Sequence, residues 1–385
     1  MTEVNLEHYH EREQSLIKHE ILKKYLERFA HIVGSWTDGL IYVDAFSGPW
    51  NSVDPDLQDA SFSIALNQLR AGRDTAADVF KKQLSLACIF LESNKAAFSQ
   101  LSDFASRQSD VEVIPLNAEF EHSIQELVSI IKSKKKGWFP FIFIDPKGWK
   151  GFSMETIEPL IQLKPCEVLV NFMTGHIQRF IQDERDGLKA SFRRLYGDDS
   201  YERRIEGLEG KEREEAMVFA YADRLATVGN YPFVSVTIVL HPTKDRTHFH
   251  LIYASRDLKG IEVFKQAERK ALQLSETVRS DAKRRARELS TGQLELFSGT
   301  EMPETSYLDG LRDRYQQKAG AAMLELARSR PQVAYDDLYA VGLRFPTVQE
   351  AFVRQWIRER GEFIGIPAGK REPTTKKGIR VRLFS

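Results

Sequence analysis

Three carboxylates stand where apolar runs of the sequence stop. Asp44 closes Leu40-Ile41-Tyr42-Val43, Glu92 closes Leu86-Ala87-Cys88-Ile89-Phe90-Leu91, and Asp145 closes Phe139-Pro140-Phe141-Ile142-Phe143-Ile144. A short apolar run that halts at an acid reads as a strand of an open α/β sheet, and such sheets bind ligands beyond the carboxyl ends of their strands. Each acid has its own chemistry there. Asp44, followed by the turn Ala45-Phe46-Ser47-Gly48-Pro49, suits a nucleoside with an amino-acid tail better than a pyrophosphate. Glu92, with Ser93 behind it, can accept from both hydroxyls of a ribose, which an amide does less well. Asp145 and Pro146 offer a carboxylate and a carbonyl that orient an exocyclic amine and meet its developing positive charge. The three acids are expected to converge on one pocket along the rim of the sheet. Leu40–Trp50 also admits a plainer reading, as a buried strand that ends in a turn.

Two neighbouring residues carry two readings each. Trp149 either stacks on a base drawn out of a duplex or covers core surface. Asn117, past the run Val111–Ile114, either touches an adenine edge or caps the next helix. Other chemistries find little support. The turn after Val43 is not G-x-G-x-x-G, and the chain has no G-x-x-x-x-G-K-[ST]. Ser47 lies in no G-x-S-x-G context. His248 and His250 share a strand face, but no third ligand of suitable spacing accompanies them, so no metal is expected. An Asp…Glu-x-Lys nuclease set has the wrong order and separation.

The elements that must position these residues follow from periodicity. Apolar residues at helical spacing between Ser15 and Val33 predict an amphipathic helix ahead of the first strand, with Lys18, Lys23 and Lys24 on its wetter side. Helices are expected after Ala60, after an N-cap at Asn94, after Asn117 and near Ser153–Leu163. A fifth strand, Cys166–Phe172, completes an alternation that implies a mainly parallel sheet with right-handed crossovers. A charged helical insertion spans roughly 176–228. Val234–His241 and His248–Ala254 then follow, joined by a linker too short for a parallel crossover. Five parallel strands and a closing antiparallel pair form the strand plan of S-adenosylmethionine (SAM) methyltransferases, a Rossmann-like seven-stranded α/β fold.

Past Ser255 the chain is helical and basic, with a helix from Gly260 to Leu274 extended through Asp281–Glu288. The Gly, Ser, Thr and Pro of 290–306 read as a linker between a methyltransferase domain (1–289) and a C-terminal domain (307–385). In the latter, helices at Leu311–Arg328 and Tyr335–Val341 precede a third, opened by the capping box Thr347-Val348-Gln349-Glu350. Two strands joined by a basic loop complete a winged helix-turn-helix. Lys370, Arg371, Lys376, Lys377, Arg380 and Arg382 would form a phosphate-contacting wing, although such modules also dock proteins.

Composition agrees with this division. The 385 residues carry no formal net charge, yet residues 259–385 hold about seven more basic than acidic residues and the remainder about seven more acidic than basic. A mildly acidic body with a basic tail is compatible with catalysis on nucleic acid. The two cysteines, Cys88 and Cys166, lie inside expected strands and read as free buried thiols of a cytoplasmic protein. No apolar run approaches the roughly 20 residues of a membrane span, and the start of the sequence resembles no signal peptide.

Lys18–Leu26, Tyr42–Pro49, Ala60–Leu66, Phe143–Pro146 and Phe249–Ser255, with Gly260 beyond, together resemble the bacterial three-Cys-motif partner family. The resemblance spans most of the chain. It implies a Rossmann-like methyltransferase core, SAM as cofactor, and a partner protein with a three-cysteine motif, of the radical-SAM kind. The chain departs from the family at Trp50, where a Gly is usual, and at Lys147, where an aromatic is usual. The resulting expectation is a SAM-dependent methyltransferase acting on nucleic acid. Its rivals are a non-catalytic nucleotide-sensing or DNA-binding regulator, and a protein-modifying enzyme.

Overall fold

A computed structural model describes residues 9, 12–48, 52, 54, 57–183, 185–291, 306–365 and 378–384. The body begins with α1 (Glu13–Gly34), β1 (Gly39–Asp44), α2 (Ser61–Phe80), β2 (Ser85–Leu91), α3 (Lys95–Ser106) and β3 (Glu112–Leu116). It continues through α4 (Ile124–Ser133), β4 (Phe139–Ile144), α5 (Met154–Ile161) and β5 (Glu167–Phe172). The charged insertion folds as four helices, α6 (Thr174–Phe180), α7 (Asp186–Tyr196), α8 (Ser200–Ile205) and α9 (Gly210–Gly229). The hairpin β6 (Phe233–Leu240) and β7 (Thr247–Ser255) leads into the long α10 (Leu258–Thr291), a single helix across both stretches expected from the sequence.

Seven strands form one sheet in the order β3-β2-β1-β4-β5-β7-β6. β7 is antiparallel to both its neighbours, and the five strands before it pair in parallel. This is the strand plan read from the sequence. β1 and β4 are apolar on both faces and wholly buried, as central strands of a covered parallel sheet must be. Alternation divides their side chains between two cores. Tyr42, Phe90, Phe141 and Phe143 join the core that includes residues of α1, α2 and α10, whereas Ile41, Val43, Ile142 and Ile144 join the one that includes residues of α4, α5 and α9. α1 and α2 pack closely because Gly72 has no side chain: a Cβ there would stand 2.3 Å from that of Ala30.

Beyond the body lie α11 (Ser306–Arg328), β8 (Val333–Ala334), α12 (Tyr335–Leu343), α13 (Glu350–Arg360), β9 (Gly361–Ile364) and β10 (Arg380–Leu383), the strands forming a small sheet in the order β8-β10-β9. The two-residue β8 escaped the sequence reading. These helices share the core of α1, α2 and α10. Lys265 and Glu268, both fully buried on α10, pair at 2.5 Å, while Lys265 donates to Phe345 O at 2.8 Å and Glu268 accepts from Thr347 N–H at 2.9 Å. That last bond corrects the expected capping box. The N-cap of α13 is Gln349, with no side-chain cap, and Thr347 sits in the left-handed region at φ 62°. The buried Glu268 takes its amide instead, and Glu350 turns to Arg354 and Gln266.

Cys88 lies within β2, whereas Cys166 immediately precedes β5; both are buried and free. Among the described residues no helix is long and apolar enough to cross a membrane.

Candidate functional site

β1 lies between β2 and β4, where the strand order changes direction, so the carboxyl ends of these strands frame the crevice in which open α/β sheets hold ligands. Asp44 is fully buried at the end of β1, in register with Phe90 and Phe143. It accepts hydrogen bonds from the Phe46 amide at 3.2 Å, the Ser61 hydroxyl at 2.7 Å and the Tyr42 hydroxyl at 3.4 Å. Ser47 folds the turn back. Its amide donates to Leu91 O at 2.7 Å and its hydroxyl to Asp44 O at 2.8 Å. Burial pushes the Asp44 carboxyl up to about 6. The Ser61 and Phe46 hydrogen bonds and Lys18 oppose the shift, and nearby Asp145 adds to it.

Glu92 follows β2 and is 2% exposed. Its Oε1 accepts the Asn94 amide at 2.6 Å, and Oε2 has no partner among the described residues. Burial raises its pKa above the usual carboxylate range, against the Asn94 hydrogen bond and the charge of Lys147. Asn94 caps α3 as expected, accepting from the amides of Ala96 and Ala97 at 3.0 Å.

Asn117 does not cap. Its Nδ2 donates to Glu92 O at 2.8 Å and Ser93 O at 3.3 Å, tying the ends of β2 and β3 together, and α4 starts later, after Ser123. Its neighbours Ala118 and Phe120 line a cavity of about 260 Å³ together with Ala45, Phe46, Leu91, Glu92, Ser93, Glu119, Glu121, Lys150 and Gly151, and Asn117 itself does not. Phe46 and Phe120 meet edge to face across 5.5 Å, and Gly151, at φ 85°, makes a turn that an L side chain would strain. The cavity has a nucleoside's chemistry: aromatic faces for a base, and one buried, unpartnered carboxylate oxygen for a sugar hydroxyl.

Of the three carboxylates, Glu92 lines this cavity. Asp44, whose neighbours Ala45 and Phe46 line it too, and Asp145 lie close enough to repel each other at the ends of β1 and β4. Asp145 is held on both oxygens. Lys18 of α1 forms an ion pair with Oδ2, and Asn171 at the end of β5 donates to Oδ1 at 2.6 Å. Lys18 is therefore not on the wet side of its helix; its side chain is 12% exposed and its ammonium lies 5.9 Å from the centre of the Phe249 ring. The ion pair joins residues 127 apart in sequence, a contact that the periodicity of α1 does not encode. Asn171 was legible in principle, as a polar residue near the end of an apolar run.

Pro146 is buried directly behind Asp145. Trp149 is engaged as core cover: its ring lies 5.3 Å from that of Phe180, stacks at 5.5 Å on Phe192, and its N–H donates to Ser191 at 3.1 Å. Both rings come from the helical insertion, and this packing fits the core-cover reading of Trp149. His250 is buried and bonds Thr174 at 3.2 Å; burial lowers it to about 3 and His248 to about 4. Glu119, Glu121 and His122 bring three ligand-type atoms together at the cavity's rim, in an acidic group of which Glu119 and His122 are exposed. Pro49 and the wing residues Lys370, Arg371, Lys376 and Lys377 lie outside the described residues. Arg380 and Arg382 occupy the exposed positions of β10, Arg382 standing 3.9 Å from Glu362.

No family model matches the chain, and no curated protein matches it. Solved structures do resemble it. Protein LPL1258 of Legionella pneumophila is 12% identical, with 63% of this chain and 85% of that chain covered at a TM-score of 0.34. An O-methyltransferase from Bacillus cereus in complex with S-adenosylhomocysteine (SAH) is 12% identical, covering 60% and 80% at 0.29. Loganic acid methyltransferase with SAH is 8% identical, covering 71% and 87% at 0.32. The fold assignment stands on the strand order and not on these scores.

Proposed function

We propose that this chain binds SAM and transfers its methyl group to a base amine of nucleic acid. The observation that carries the reading is the buried Glu92 carboxylate, with one oxygen bonded to its own chain and the other unpartnered at a cavity beyond β2. A methyltransferase strand order surrounds it. In this reading Glu92 receives the ribose, Phe46 and Phe120, in contact with each other, wall one side of the base, and Asp44 with the Ser47–Gly48 turn receives the methionine end. When bound, SAM supplies a methyl group open to in-line displacement from a sulfonium. The chain's part is to align donor and acceptor and keep water out. Asp145, Asn171 and Lys18 stand on the acceptor side. The nucleic-acid substrate is supported by the basic excess of the C-terminal third and by the arginines on β10. The three-Cys-motif partner is supported by the sequence resemblance, and co-expression with such a protein tests it.

The regulator reading has one specific observation in its favour, that both oxygens of Asp145 are already taken. Calorimetric titration with SAH, followed by tritiated-methyl transfer to DNA and RNA, separates the two. Micromolar binding with incorporation that Asp145→Ala removes supports the enzyme. Binding without incorporation supports the regulator, and no binding removes the enzyme.

A further inference from the structure

We infer that Asn171, and not Asp145, supplies the hydrogen-bond acceptor that selects the substrate amine; this rests on the methyltransferase reading above. A base amine entering an acceptor site needs a free oxygen. Each oxygen of Asp145 already accepts a donor, Lys18 at Oδ2 and Asn171 Nδ2 at Oδ1, so a further donor there shares an oxygen with a bond already made. The oxygen with no donor among the described residues belongs to Asn171. Its Nδ2 is committed to Asp145 at 2.6 Å and touches Met173 Sδ at 3.4 Å, which fixes the amide so that Oδ1 faces away from the carboxylate. That oxygen is buried and has no partner among the described residues. A buried carbonyl left unmatched is destabilising, and native structures keep such atoms where a ligand or water completes them.

The surroundings suit a neutral donor better than a cation. Lys18 stands on the far side of Asp145 and already balances its charge. An exocyclic amine offers N–H groups without adding a charge. The side chains of Lys18 and Asp145 are 12% and 15% exposed, which marks the open side of the cluster. In the transfer, the carbon–sulfur bond of the sulfonium breaks as the amine nitrogen bonds the methyl carbon, SAH leaves with the electron pair, and the amine's proton goes to solvent. Asn171 touches the acceptor. Asp145 and Lys18 act through Asn171 and are positioning residues.

The test uses the full chain saturated with SAH and fluorescein-labelled single-stranded oligonucleotides in matched pairs. Adenine is compared with purine, and cytosine with 2-pyrimidinone, so that each pair differs by one exocyclic amine. Wild type is expected to prefer the amine-bearing member of one pair at least fivefold, about the return of a single hydrogen bond of roughly 1 kcal/mol. Asn171→Ala is expected to abolish the preference while SAH affinity stays within twofold. Asn171→Leu, of similar volume and without an oxygen, is expected to lose the preference likewise, and SAH binding by both variants serves as the folding control. A preference that survives in Asn171→Ala, or none in a wild type that binds SAH, overturns this inference alone. A wild type that fails to bind SAH overturns the methyltransferase reading beneath it.

Discussion

The carboxylate of Asp44, at the end of β1, accepts the hydroxyl of Ser61, the first residue of α2, at 2.7 Å. The bond lies across the turn that would hold the methionine end of the cofactor, and it ties the start of a helix to the rim of the sheet. It only partly offsets the burial of the charge, so Asp44 titrates at about 6 against an ordinary value of 3.8.

The sign of the resulting pH dependence is determined by that difference. Between about pH 4 and pH 6 the folded chain holds a proton that the unfolded chain has released. The contribution of Asp44 to stability is therefore largest below its ordinary value and is lost as pH rises through about 6, by at most about 3 kcal/mol. Urea unfolding of wild type against Asp44→Asn across this window should show the wild type losing ground as pH rises. An unchanged difference would remove the assignment. SAH affinity should move the opposite way, strengthening from pH 5 to pH 7 as Asp44 ionises to meet an ammonium group.

Glu92→Gln isolates the unpartnered oxygen. The amide keeps an acceptor for the Asn94 N–H but replaces Oε2 with a donor. Calorimetry should show SAH binding weakened about 10- to 100-fold, the return of about 1.5–3 kcal/mol for a hydrogen bond to a charged group. Equal affinity would mean that the ribose does not sit at Glu92.

Trp149→Phe should leave methyl transfer within about threefold and lower stability by roughly 1 kcal/mol, because the ring's work is to cover Phe180 and Phe192. A loss of activity greater than a hundredfold at unchanged stability would restore the base-stacking role.

The buried pair Lys265–Glu268 fastens the C-terminal helices to α10. Lys265→Met alone leaves a carboxylate buried without its cation and should cost about 3–5 kcal/mol in urea unfolding. Replacing both residues with apolar ones of similar volume should recover much of that. If the single change proves neutral, the C-terminal part does not depend on this latch.

Strand identity, the hairpin between β6 and β7, the acidic strand ends and the Asn94 cap were legible in the sequence. All of them depend on local alternation, on the length of apolar runs and on turn chemistry, which neighbouring residues decide among themselves. Tertiary structure alone decided what those ends face. Lys18 meets Asp145 from a helix 127 residues earlier, Phe180 and Phe192 reach Trp149 from the insertion, and Glu268 takes the amide that a capping box would have used. These contacts are set by how helices settle on the sheet, and no local pattern encodes them. Where each carboxylate points, and which polar atom is left free, follows from that packing.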